Sequence, residues 1–182
     1  ITEYVRNGGT LVTTFRSGTR DTFNNLFTTT LPCAFAELAG IEVEEFAALR
    51  KPVAVDGIVS SKAEIWCDMI KPVTAKVLSI YSDGYFRNKA AVTVNIYGKG
   101  RVYYIGCDLE REALGRLVRH ISERCGIKMT EMPSGVEVVR RNNCMILMNH
   151  NDCEVRVGLK GKSLISNQHF NGKLEAYGVE WI

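Results

Sequence analysis

Apolar and polar positions alternate at strand spacing along most of this chain, and move to helical spacing in only a few stretches. Residues 1–7 read as a helix that ends at Gly8-Gly9. The β-rich run 10–15 follows, one α-to-β step of an α/β sheet. Residues 16–30 are polar and rich in Thr and Asn, which predicts a loop. Residues 32–39 then read as a short helix stopped by Gly40. Apolar or alternating runs at 53–58, 63–68 and 75–81 predict strands. The runs 91–97 and 101–105 flank Gly98-Lys99-Gly100 and predict a hairpin with a three-residue loop. The clearest helix covers 109–125, with Leu114, Leu117, Val118, Ile121 and Cys125 on one face, Asp108 placed to cap it and Gly126 to end it.

Met132-Pro133-Ser134-Gly135 lies in a linker, after which strand periodicity returns at 136–140, 144–149, 153–159 and 174–181. The pattern therefore predicts an α/β domain over 1–128 and a small antiparallel β domain over 133–182. The second has about 50 residues, near the size at which one core is marginal. Ile1 opens inside a helical pattern, as expected of a piece of something longer.

Composition narrows the classes. At 182 residues the chain is too short for a (β/α)8 barrel, which takes about 250. Hydrophobic residues at 46% and charged residues at 24% are the balance of a globular protein. No apolar run approaches the roughly 20 residues of a membrane span, so no membrane is expected as a partner. The net charge of +3 is spread along the chain, and Arg140-Arg141 has no aromatic interleaving, which argues against nucleic acid. Six cysteines without C-x-x-C spacing predict reduced thiols, a cytoplasmic protein and no zinc.

Catalytic patterns fail one by one. Gly98-Lys99-Gly100 lacks the preceding Gly, the Ser/Thr and the following helix of a phosphate loop. Gly8-Gly9 follows a helix and opens a strand, the reverse of a dinucleotide turn. Cys107 sits between strand and helix, where a nucleophile elbow would place it, which keeps open an amidotransferase-like hydrolase. Leu109 stands where the elbow needs its second Gly, and His120 is about three helical turns away. Glu42, Glu44 and Glu45 are neighbours on one segment and read as a solvated acidic edge, not as a glycosidase pair. A sugar-binding module using Trp181 or Tyr177 is a further alternative, although Trp181 reads as core.

The ordered set of segments resembles a known family. Tyr4-Val5-Arg6-Asn7-Gly8-Gly9-Thr10-Leu11-Val12 precedes Phe15-Arg16-Ser17-Gly18 and Asp21, then Leu38-Ala39-Gly40-Ile41-Glu42-Val43-Glu44-Glu45. Ala91-Val92-Thr93-Val94-Asn95, Gly98-Lys99-Gly100-Arg101-Val102-Tyr103-Tyr104-Ile105-Gly106 and Gly135-Val136-Glu137-Val138-Val139-Arg140 follow. Leu147-Met148-Asn149-His150 and a terminal Tyr177-Gly178-Val179 complete the set. Over nearly the whole chain this succession resembles the C-terminal half of glycoside hydrolase family 42 β-galactosidases. The resemblance implies an amidotransferase-like (flavodoxin/Rossmann-like) trimerisation domain lacking its first strands, then the family's small β domain. Both catalytic glutamates would belong to a barrel outside this chain. It further implies a homotrimer and contacts with its own and neighbouring barrels; the three His residues are too scattered for a metal site, and no cofactor is expected. A galactoside would be bound only by the parent enzyme. Cys33 follows Pro32 where the family often has Gly. The long polar loop after the first strand makes Arg16, Ser17, Gly18 and Asp21 the expected barrel-facing or interface residues.

Overall fold

Helix α1 (Thr2–Arg6) ends at Asn7, the chain reverses through Gly8, and strand β1 (Thr10–Thr14) begins the sheet. A computed structural model describes residues 1–182, which divide into two compact units, Ile1–Ile127 and Lys128–Ile182. Sheet dominates, with 43% of residues in strands against 14% in helices.

In the first unit a 3-10 turn (Cys33–Phe35) leads into α2 (Ala36–Ala39), which Gly40 closes in the left-handed conformation, φ 63. The Gly40 carbonyl accepts from the amides of Val73, Thr74 and Ala75, so this helix end also anchors a distant turn. Strands β2 (Ile41–Ala48), β3 (Val53–Gly57), β4 (Ser61–Pro72) and β5 (Lys76–Tyr81) follow. The unit is completed by β6 (Ala90–Tyr97), β7 (Gly100–Ile105), β8 (Cys107–Leu109) and α3 (Arg111–Arg124). The sheet runs β1-β7-β6-β5-β3-β4-β2, with β8 on β4. Only β1 and β7 pair in parallel; the other ladders are antiparallel. β6 is central and buried on both faces, which explains its nearly continuous apolar run. Twelve-residue β4 pairs in turn with β3, β8, β2 and, at Ile70, with Ala90 of β6.

Several expectations need correction. The hairpin register pairs Tyr97 with Gly100, so its loop is Gly98-Lys99, two residues rather than three. The acidic edge itself stands, on strand β2: the side chains of Glu42 and Glu44 stay 42% and 41% exposed while meeting Lys71 at 2.8 Å and Lys89 at 3.3 Å, and Glu45 accepts from the Tyr85 hydroxyl. Helix α3 starts two residues later than the pattern suggests, with Glu110 as its N-cap. It buries the row Ala113, Leu117 and Ile121 against Val92, Tyr103 and Ile105, while Leu114 and Val118 stay 39% and 42% exposed.

Asp108 is not the cap. Its carboxylate accepts from the backbone amides of Glu64, Ile65 and Trp66 at 2.7–3.0 Å. The β4–β8 register shifts between Ala63 and Cys67, leaving those amides without a strand partner, and one side chain replaces the missing ladder. Asp108→Ala is expected to lower the stability of this unit by about 1–2 kcal/mol, read from urea unfolding, with Asp108→Asn intermediate.

The second unit is an antiparallel sheet in the order β15-β10-β9, from β9 (Val136–Arg141), β10 (Cys144–Asn149) and β15 (Val179–Trp181), joined by four two-residue strands. These are β11 (Val155–Arg156), β12 (Gly161–Lys162), β13 (His169–Phe170) and β14 (Lys173–Leu174). The long strands expected at 153–159 and 174–181 are thus broken, the latter by a turn in which Tyr177 takes φ 54. Leu147, Val157, Phe170 and Leu174 form its core. Buried Asn149 ties the turns together, donating to the carbonyls of Cys153 and Glu175 and accepting from Asn151. Trp181, expected in the core, is 42% exposed.

Candidate functional site

The polar segment after β1 is a built loop. The Ser17 amide donates to the Thr14 carbonyl, and the Ser17 hydroxyl accepts from the Thr14 amide. Arg16 and Gly18 both take left-handed conformations, φ 64 and 70. A side chain on Gly18 would meet the Phe35 ring at 2.4 Å and the Pro32 carbonyl at 3.0 Å, so that position admits only glycine. Cys33, where the family pattern has Gly, has φ 47.

Asp21 works locally. Its Oδ1 accepts from the amides of Phe23 and Asn25, both at 2.8 Å, and its Oδ2 from the Asn25 side chain. The Asn25 backbone and side-chain bonds hold its carboxyl below the usual range. It closes the turn 21–25 rather than pointing at a ligand.

Arg16 alone of the four expected residues reaches a cavity, of about 300 Å3, between this loop and the face of β2, β4 and β7. Its guanidinium lies 4.9 Å from the centre of the Trp66 ring. Phe46 stacks on Trp66 at 5.2 Å and Phe15 at 6.2 Å, giving an aromatic ladder with a cation on it. At the base is Asp68, 3% exposed, whose Oδ1 accepts from Trp66 Nε1 at 2.8 Å and Oδ2 from the Tyr104 hydroxyl at 2.7 Å. Burial raises the Asp68 carboxyl above its ordinary value, against those two bonds and the Arg16 charge. Burial and the Asp68 charge push the Tyr104 phenol up as well. Trp66, Asp68, Tyr104 and Phe46 were not singled out in the sequence. The one local signal was Trp66 and Asp68 two apart on a strand, hence on one face.

The chemistry available here is binding. Asp68 is the only carboxylate lining the cavity, and a retaining glycosidase needs two about 5 Å apart. Cys107 is 1% exposed in β8, opposite Cys67, and burial pushes its thiol up, the reverse of what a nucleophile needs. Burial also pushes the Cys67 thiol up to about 12. No group of three or more His, Cys, Asp or Glu side chains is placed to hold a metal ion, and no helix is long and apolar enough to cross a membrane.

Comparison with known proteins supplies what the geometry alone does not. The family model described as the beta-galactosidase trimerisation domain matches residues 1–128. Beta-galactosidase BgaA of Clostridium cellulovorans is 33% identical over 97% of this chain, which covers 29% of that protein. Beta-galactosidase LacZ of Heyndrickxia coagulans is 33% identical over 82% of the chain and 24% of its own length. Among solved structures, beta-galactosidase from Bacillus circulans sp. alkalophilus superposes with a TM-score of 0.86 at 29% identity, over 99% of this chain and 30% of that one. Gan42B, a GH42 beta-galactosidase from G. stearothermophilus, gives a TM-score of 0.84 at 28% identity, over 99% of this chain and 28% of that one. The chain spans less than a third of the length of each of these relatives. It belongs to the glycoside hydrolase family 42 β-galactosidases, and its residues 1–128 carry that family's trimerisation domain.

Proposed function

We propose that this chain is the non-catalytic, assembly-forming C-terminal region of a cytoplasmic β-galactosidase. The parent would hydrolyse terminal β-D-galactosides with retention, using carboxylates in a barrel that precedes these residues. The observation that carries this reading is the family match over residues 1–128, together with the lack of a carboxylate pair in the Asp68 cavity. On this reading the first unit derives from an amidotransferase-like sheet that has lost its nucleophile, and Cys107 is a packed thiol. Residues 1–128 form the trimer contacts and 133–182 the appended β domain, with neither nucleic acid nor membrane as partner. The loop carrying Arg16, Ser17, Gly18 and Asp21 faces a barrel, its own or a neighbour's. A closed trimer needs two different patches per subunit, and Arg16 over Trp66 offers one with a cation and exposed aromatic area.

Light scattering on a sizing column tests the assembly. A species near 61 kDa, three times 20.3 kDa, is expected, with no hydrolysis of a chromogenic galactoside. A monomer at every concentration overturns the claim that these residues suffice for assembly. Turnover overturns the non-catalytic reading.

A further inference from the structure

A second cavity in residues 1–127, of about 450 Å3, opens over β5, β6 and β7 beside the last turns of α3. Its polar rim is cationic. Lys76 enters from β5, Arg101 from β7, and Arg124 with His120 from α3, while no Asp or Glu lines the space. Two other cations of this unit are matched, Lys71 by Glu42 and Lys89 by Glu44. Lys76, Arg101 and Arg124 make no ion pair. Arg124 spends only its Nε, donating to His120 Nε2 at 3.0 Å, which leaves both Nη groups free and assigns the imidazole proton to Nδ1. Three like charges gathered without a counter-ion repel one another, and this arrangement is relieved by a bound anion.

Ile58, Leu78 and Val94 give an apolar stretch of wall, and the uncharged polar side chains of Thr74 and Asn95 also line the space. The volume lies in the range of about 300–1,000 Å3 usual for small-molecule sites, roomier than a bare oxyanion requires. Two guanidinium groups and an ammonium suit a doubly charged phosphate, the forks meeting its oxygens in pairs. We propose that this cavity binds a small organic phosphate ester, its phosphate held by Lys76, Arg101 and Arg124 and its organic part lying on Ile58, Leu78 and Val94. The site is separate from the Arg16 cavity and does not depend on the assembly reading.

Titration of the 182-residue chain, followed by amide and arginine side-chain NMR signals, tests this. Inorganic phosphate and a hexose 6-phosphate are the probes; galactose and sodium chloride at matched ionic strength are the controls. Saturable shifts at β5, β7 and the end of α3 are expected, tighter for the hexose phosphate and absent with either control. Arg101→Gln with Arg124→Gln should weaken binding by about tenfold or more, and Lys99→Gln should not. Thermal melting checks that the double variant is folded, and Lys76→Gln serves if it is not. Linear shifts, equal shifts with chloride, or full affinity in the folded double variant overturn the site. Equal affinity for the two phosphates overturns the assignment of an organic ester.

Discussion

Gly100→Ala is expected to destabilise the first unit by about 3 kcal/mol and to lower its melting temperature by about 10 °C. A methyl group there would lie 2.0 Å from the Val5 carbonyl oxygen and 2.3 Å from that of Gly9. Neither oxygen can retreat cheaply, because this backbone is pinned. The Lys99 amide donates to the Arg6 carbonyl at 2.9 Å, and the Arg101 amide to the Gly9 carbonyl at 3.1 Å. The β6–β7 turn is therefore seated against the end of α1, and it sets where β1 enters the sheet. The matched control is Gly115→Ala in α3, where nothing lies within 4 Å of the added methyl. That variant should be stabilised by about 0.5–1 kcal/mol through helix propensity. Calorimetry on both separates close approach from backbone freedom. A Gly100→Ala protein that melts with the wild type would show the seating to be loose.

The second large effect is at Asp68. Asp68→Ala removes the acceptor of the Tyr104 hydroxyl, which is 1% exposed, and of Trp66 Nε1, at an expected cost of about 2 kcal/mol after relief of the buried charge. Asp68→Asn keeps both contacts, since its oxygen accepts from Trp66 while its amide donates to the Tyr104 oxygen, and should cost less than about 1 kcal/mol. The two also differ from the parent in pH dependence. Burial raises the folded carboxyl above its ordinary 3.8, so the folded chain holds this proton more tightly than the unfolded chain. Between the two values the folded state carries more proton, and the group's contribution to stability falls as pH rises through the folded value. The wild type should therefore lose ground to Asp68→Asn as pH rises from about 4 to neutrality in urea unfolding. Gain in the wild type's favour over that window would mean that the Tyr104 and Trp66 hydrogen bonds, with the Arg16 charge, outweigh burial. Loss of trimer in Asp68→Ala with intact fold would place the cavity at the assembly surface.

Elements that form from their own neighbours were legible in the chain. The β6–β7 hairpin rests on two flanking runs and a Gly-Lys turn, and α2 on a Gly that alone takes φ 63 without strain. The polar loop after β1 was equally plain, as was the ordered set of segments that resembles family 42. Non-local pairing decided the rest. Segment 41–48, with three glutamates, is a strand because its backbone pairs with β4 about 20–30 residues on, from Ile41 opposite Pro72 to Ala48 opposite Trp66. Asp108 is read correctly only once the β4–β8 register is known, since the amides it serves lie more than 40 residues away. Both cavities share that property. Arg16, Trp66, Asp68 and Tyr104 converge from a loop and two strands, and Lys76, Arg101 and Arg124 from two strands and a helix. Side-chain period and capping are one-dimensional and survive in the sequence, whereas the distance between strands depends on sheet order, which only the tertiary structure decides.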